Sequence, residues 1–114
     1  MNKDTPRTNT DGIRVLNDNF RSTFVGGRVL TTAGVAVLPL DSKARLLLAV
    51  QSFSDFSDDN DPYGEHDFGA IELEGEKYFW KIDCYDLALE FGSAAPEDPS
   101  VTTRVLTIMR ADEY

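Results

Sequence analysis

Apolar residues recur along this chain in two periods. Ile13, Leu16, Phe20 and Phe24 fall at steps of three and four, which places them on one face of a helix. Thr10 or Asp11 can cap its start, and Gly26-Gly27 is a stop signal at its end. A short β-branched run, Arg28 to Thr32, reads as a strand, while Ala33 to Pro39 is apolar, interrupted by Gly34 and ambiguous. Asp41 or Ser42 can cap a second helix whose buried stripe is Leu46, Leu47, Val50 and Phe53. From Ser54 to Gly64 the composition turns to Asp, Ser, Asn and Pro, which is loop chemistry, with Phe53 and Phe56 pinning the start of the loop to the core.

Beyond Gly64 the period changes to two. His66 to Leu73 and Lys77 to Tyr85 form the strands of a hairpin, with Glu74-Gly75-Glu76 as its turn and Gly75 free to take positive φ. Tyr78, Trp80 and Ile82 alternate with Phe79, Lys81 and Asp83, and Trp80 and Ile82 are expected to face the core. Residues 90–99 form a Gly- and Pro-containing loop, and Val101 to Met109 a last strand. The order α-β-α-β-β-β predicts an α+β domain over residues 10–114, behind a loose tail at 1–9. Its simplest architecture is an antiparallel sheet of about four strands with two helices packed on one face.

Charge sharpens the picture. The net charge is −9, yet residues 1–52 carry seven basic and four acidic side chains, and residues 101–114 two of each. The segment 53–100 carries fourteen acids against Lys77 and Lys81. Such a field repels phosphate backbones and attracts cationic partners, so direct nucleic-acid binding is disfavoured. No apolar run reaches the length of a membrane span. The polar stretch Met1 to Thr10 lacks the apolar centre of a secretory signal, and the single Cys84 forms no internal disulfide; both point to the cytoplasm.

The densest chemistry lies in Asp58-Asp59-Asn60-Asp61-Pro62-Tyr63-Gly64-Glu65-His66-Asp67, five carboxylates with the one histidine. Asp58, Asp59, Asp61, His66 and Asp67 supply oxygen and nitrogen donors for a divalent metal, the basis of a hydrolase. The calcium-loop spacing fails, because from Asp59 the fifth position is Tyr63 and the twelfth is Ala70. One His and one distant Cys make no closed zinc site. A solvated turn, with Asp and Asn bonding their own backbone, is the ordinary use of these residues. His66 paired with Asp83 or Asp86 is a candidate acid–base couple, but no G-x-S-x-G nucleophile accompanies it. Cys84 inside an apolar strand reads as an inert thiol. No glycine loop for phosphates is present, so no nucleotide cofactor is implied. Arg14, Arg21 and Arg28 recur at steps of seven, and the first two read as a solvated helix face.

A binding reading uses the acids as a surface. Asp58, Asp59, Asp61, Tyr63, Glu65, Asp67, Glu72, Glu74 and Glu76 would meet a basic protein or nucleic-acid-binding complex, imitating the phosphates of a duplex. A further alternative buries Tyr and Trp at a contact between subunits.

Three strings, Asn60 to Gly69, Phe79 to Asp83 with Tyr85-Asp86, and Val105 to Met109 with Glu113-Tyr114, resemble a small bacterial family known as domain of unknown function 3768. The likeness runs from about Ile13 to the C-terminus. It implies an accessory protein of proteobacteria whose genomes are rich in plasmids and prophages, and hence a role in evading host defence, such as an anti-CRISPR or anti-restriction inhibitor. It brings no reaction. Cys84 stands where the family carries an aromatic residue, a departure that argues against a thiol mechanism.

Overall fold

The computed structural model describes residues 9–114. The expected tail therefore lies outside the described residues, except Asn9, which opens helix α1 (Asn9–Thr23). Thr10 and Asp11 sit inside its first turn and not at its cap; Asp11 is drawn to Arg14, one turn on. The helix stops before the glycine pair. Phe24 itself takes φ +60°, and its N–H bonds the Phe20 carbonyl at 2.7 Å. Gly27 instead opens strand β1 (Gly27–Thr31), where a Cβ would stand 2.5 Å from the Arg104 carbonyl oxygen.

The ambiguous stretch holds a single helical turn, α2 (Ala33–Ala36), followed by α3 (Leu40–Gln51). Neither Asp41 nor Ser42 caps α3. Pro39 holds that position, and the Ser42 hydroxyl donates to Glu74 across the molecule at 2.9 Å. The α3 stripe holds for Leu46 and Val50, fully buried, and Leu47 beside them, while Phe53 packs on the same core from just beyond the helix end at Gln51.

Strand β2 (Phe68–Leu73) begins two residues later than its apolar pattern suggests, because His66 has φ +53°, which extended backbone does not tolerate. A two-residue turn, Glu74-Gly75, with φ +54° and +81°, joins it to β3 (Glu76–Tyr85). Positive φ at both positions is the geometry whose twist matches flanking strands. Strand β4 (Thr103–Arg110) follows the loop through residues 86–102.

The sheet order is β1-β4-β3-β2. Pairing is antiparallel except for β1, which runs parallel to β4 with Val29 opposite Leu106. This corrects the all-antiparallel expectation. The run Val105-Leu106-Thr107-Ile108-Met109 is apolar on both faces, as central strands are, and β4 accordingly enters the middle, with the hairpin on one side and β1 on the other. Tyr78, Trp80 and Ile82 of β3 join Leu106 and Ile108 of β4 on one sheet face. Phe20 of α1, Val35 of α2 and Leu46 and Val50 of α3 cover that face, so all three helices lie on the same side. Each fully buried large apolar side chain contributes about 1.5–3 kcal/mol. On the other face, Tyr114 packs edge-on against Phe68 and Phe79, at ring distances of 5.9 and 5.5 Å. Among the described residues no helix is long and apolar enough to cross a membrane.

Candidate functional site

Four α1 side chains at helical spacing, Arg14, Asn17, Asp18 and Arg21, face the loop between α3 and β2 and hold it down. Arg14 donates to the Gly64 carbonyl at 2.9 Å, Asn17 Nδ2 to the Glu65 carbonyl at 3.0 Å, and Arg21 to the Phe53 carbonyl at 3.0 Å. Arg21 is 5% exposed and lies over the rings of Phe56 and Trp80. The reading of Arg14 and Arg21 as a solvated face is thereby corrected: the flank beside the apolar stripe is covered by the loop, while Val15, Asn19 and Ser22 on the far side are exposed.

His66 sits where these contacts converge. Its ring stacks on Phe56 with centroids 3.7 Å apart and planes 3° from parallel. Its Nδ1 lies 2.9 Å from Asp18 Oδ1 and its Nε2 3.5 Å from Asp61 Oδ2, while its backbone N–H donates to Asp61 at 3.2 Å. Arg21 donates to the same Asp18 Oδ1 at 3.1 Å. The expected partners are engaged elsewhere: Asp83 pairs with Lys81 at 3.1 Å, and Asp86 accepts the Glu90 N–H at 3.0 Å. A cavity of about 220 Å³ opens beside the ring, lined by Phe56, Ser57, Asp58, Asp61, Gly64 and His66.

The same segment borders a second cavity on its other side, of about 190 Å³, lined by Ile13, Asn17, Glu65, Asp67, Ile82, Asp83, Cys84 and Pro96. Arg104 builds its frame from underneath. Only 3% exposed, it donates through Nε to Asn17 Oδ1 at 2.8 Å and through a terminal nitrogen to the Pro96 carbonyl at 2.5 Å. It makes no ion pair among the described residues, and burial pulls its pKa below the usual guanidinium value. Burial raises the carboxyl pKa of Glu65, helped by repulsion from Asp67 and Asp61. Burial likewise raises Asp67, with Asp61 and Asp83 adding to the effect. The Cys84 thiol is also pushed up by burial, which favours the unreactive protonated form.

The nine acidic and tyrosine positions expected to share one surface divide into groups. Asp58, Asp59 and Tyr63 are exposed on the loop. Asp61 is turned inward to His66, and Glu65 and Asp67 are half-buried at the cavity. Glu74 and Glu76 stand at the opposite end of the hairpin, held by Ser42 and Arg45, and by Arg110 at 3.5 Å; Glu72 projects from β2 between the two ends. Of the metal-site residues, Asp58, Asp61 and His66 share one cavity, Asp59 is exposed beside it, and Asp67 lies across the segment. Among the described residues no three His, Cys, Asp or Glu side chains come together as metal ligands. Sequence reasoning missed Asn17, Asp18 and Arg104. Asn17 and Asp18 do have a signal in hindsight, since they share a helical face with Arg14 and Arg21.

Charge compensation is also uneven. At the hairpin-turn end, Asp41, Glu74, Glu76 and Asp112 all meet arginines. At the end formed by the starts of β1, β2 and β4 and the close of β3, Asp55, Asp58, Asp59, Glu65, Asp67, Glu90, Glu97 and Asp98 have no cationic partner within 4.0 Å among the described residues.

A family model described as "Protein of unknown function (DUF3768)" matches residues 31–113. The chain belongs to this family. The DUF3768 match spans α2 through β4 and starts well after Ile13, so α1, with Asn17, Asp18 and Arg21, lies outside it. Two of the strings that carried the likeness adjoin in space: Asp67 accepts the Ile82 N–H at 2.8 Å, and Phe68 pairs with Lys81. No curated protein and no solved structure matches the chain.

Proposed function

We propose that this DUF3768 protein is a cytoplasmic, non-enzymatic binding module whose loop end docks on a basic protein surface. The observation behind this reading is the balance of charge compensation: Asp41, Glu74, Glu76 and Asp112 at the hairpin-turn end pair with arginines, whereas at the loop end Asp83 pairs with Lys81 and Asp18 with Arg21 but eight further acids have no cationic partner within 4.0 Å among the described residues. Unpaired surface carboxylates steer and hold a cationic partner. Exposed Tyr63, Leu87 and Phe91 at the same end, 81%, 64% and 71% accessible, supply the apolar contacts that a lasting complex requires. The most specific form of the proposal is an inhibitor that occupies the nucleic-acid channel of a restriction or CRISPR-type complex. Titration of purified complexes of both types with the protein, at low and at physiological salt, tests it. Affinity is expected to fall as salt rises, and an affinity indifferent to ionic strength overturns the reading.

A second reading, a divalent-metal-dependent hydrolase on the same loop, has only the shared cavity of Asp58, Asp61 and His66 behind it, since these side chains do not come together as a ligand set among the described residues. Calorimetric titration with magnesium, manganese, calcium and zinc decides it. Saturable heat supports it, and silence from all four removes it.

A further inference from the structure

The sheet face opposite the helices carries the largest of the described cavities, a groove of about 370 Å³. It is lined by Asn60, Pro62, Tyr63, Asp67, Phe68, Lys81, Ile82, Asp83 and Tyr114. Its composition is unusual for an acidic surface. Tyr63 and Tyr114, 81% and 74% accessible, stand at its rim, and Phe68 completes the aromatic lining. Tyr114 is held in place by its edge-on contacts with Phe68 and Phe79. Two carboxylates, Asp67 and Asp83, share the groove with one cation. Lys81 Nζ pairs with Asp83 at 3.1 Å, and Asp67 has no cationic partner within 4.0 Å among the described residues. The groove is therefore one positive charge short of neutrality.

We propose that this groove is the anchor site for an arginine side chain of the partner. The proposal rests on the binding reading above and adds the residue type that is recognised. A guanidinium is flat and weakly hydrated, stacks on tyrosine faces, and offers a planar fork of donors to a carboxylate. Aromatic rims and an unpaired Asp67 match all three properties, whereas a compact, strongly hydrated ammonium matches only the charge. The size suits one long side chain with part of its backbone. Lys81 acts as an internal competitor, since its release from Asp83 would leave a second carboxylate open to the incoming arginine.

The test uses N-acetyl-arginine methylamide and its neutral isostere N-acetyl-citrulline methylamide, titrated against the full chain with the ring resonances of Tyr63 and Tyr114 followed by NMR. Arginine is expected to move both rings saturably, and citrulline to bind at least about tenfold more weakly, since it keeps the shape and loses the charge. Tyr63→Ala, at an exposed position that leaves the core untouched, is expected to weaken binding by about threefold or more. Lys81→Gln is expected to tighten it. Equal binding of the two compounds, or unmoved tyrosine rings, overturns the proposal. An arginine-rich peptide serves as reference. Salt-dependent binding of the peptide with both rings unmoved defeats the groove alone, whereas no binding of the peptide defeats the basic-partner reading as well.

Discussion

Replacing Asn17 by alanine tests whether a single buried amide holds the site together. Asn17 is 1% exposed and makes two hydrogen bonds that join three parts of the chain: from Arg104 Nε at 2.8 Å and to the Glu65 carbonyl at 3.0 Å. Its loss leaves a charged donor that is 3% exposed facing a void, and a carbonyl on the cavity wall without its donor. A buried donor deprived of its partner costs roughly 1–3 kcal/mol, more when charged, and the carbonyl adds roughly 1 kcal/mol. The sum is about 3 kcal/mol, a large share of the roughly 5–15 kcal/mol that holds a domain of this size. At roughly 4 °C per kcal/mol the thermal midpoint should fall by about 12 °C. Urea unfolding followed by circular dichroism gives the free energy directly. The double variant Asn17→Ala with Arg104→Met should be less destabilised than the sum of the single changes by about 1 kcal/mol or more, because the methionine leaves no charge to strand. A loss below about 0.5 kcal/mol, or strict additivity in the cycle, would refute the reasoning.

The remaining expectations concern the same loop and core. Asp67 has a folded-state pKa above its unfolded value, so the folded form holds the proton more tightly; the stability this group contributes is fully present below the unfolded pKa and is lost as pH rises through the folded one. Asp67→Asn should therefore be more stable than the parent at about pH 7, with the advantage vanishing near about pH 4, as measured by urea midpoints across pH. Gly69→Ala places a Cβ 2.4 Å from Trp80 Nε1 and 2.8 Å from Phe53 Cζ, and should cost about 2 kcal/mol or more by overpacking, read by thermal melting. His66→Ala removes the ring between Asp18 and Asp61 and its stack on Phe56; amide exchange across residues 54–66 should accelerate while that of β3 and β4 is unchanged.

The parts of this fold that could be read from the sequence are those set by near neighbours. Period-two alternation placed Trp80 and Ile82 in the core, and the α3 stripe placed Leu46 and Val50, because burial on one face leaves its period in the chain. Parallel pairing of β1 with β4 left no local trace, since two helices and the hairpin separate Val29 from Leu106 along the chain. Phe24 and His66 take left-handed backbone that their residue types do not announce, which displaced the helix stop and the strand start. The loop chemistry of residues 54–67 was evident from composition, and the clasp that organises it was not. Asp18 and His66 are 48 positions apart, and Asn17 and Arg104 are 87. The raised carboxyls of Glu65 and Asp67 follow from burial, which is a tertiary property. The charge excess of the middle segment was plain in the sequence, but its division into compensated and uncompensated ends depended on where Arg45 and Arg110 fall.

Two charge-neutralised proteins give the most direct comparison. One carries Asp55→Asn, Asp58→Asn and Asp59→Asn at the loop end, and the other carries Asp41→Asn, Glu74→Gln and Glu76→Gln at the hairpin-turn end, so each removes the same charge. Binding of an arginine-rich peptide, measured by calorimetry over a range of salt, should weaken and lose much of its salt dependence in the first protein and stay close to the parent in the second. Equal losses in the two would mean that only net charge matters, and would contradict a binding surface confined to one end of the sheet.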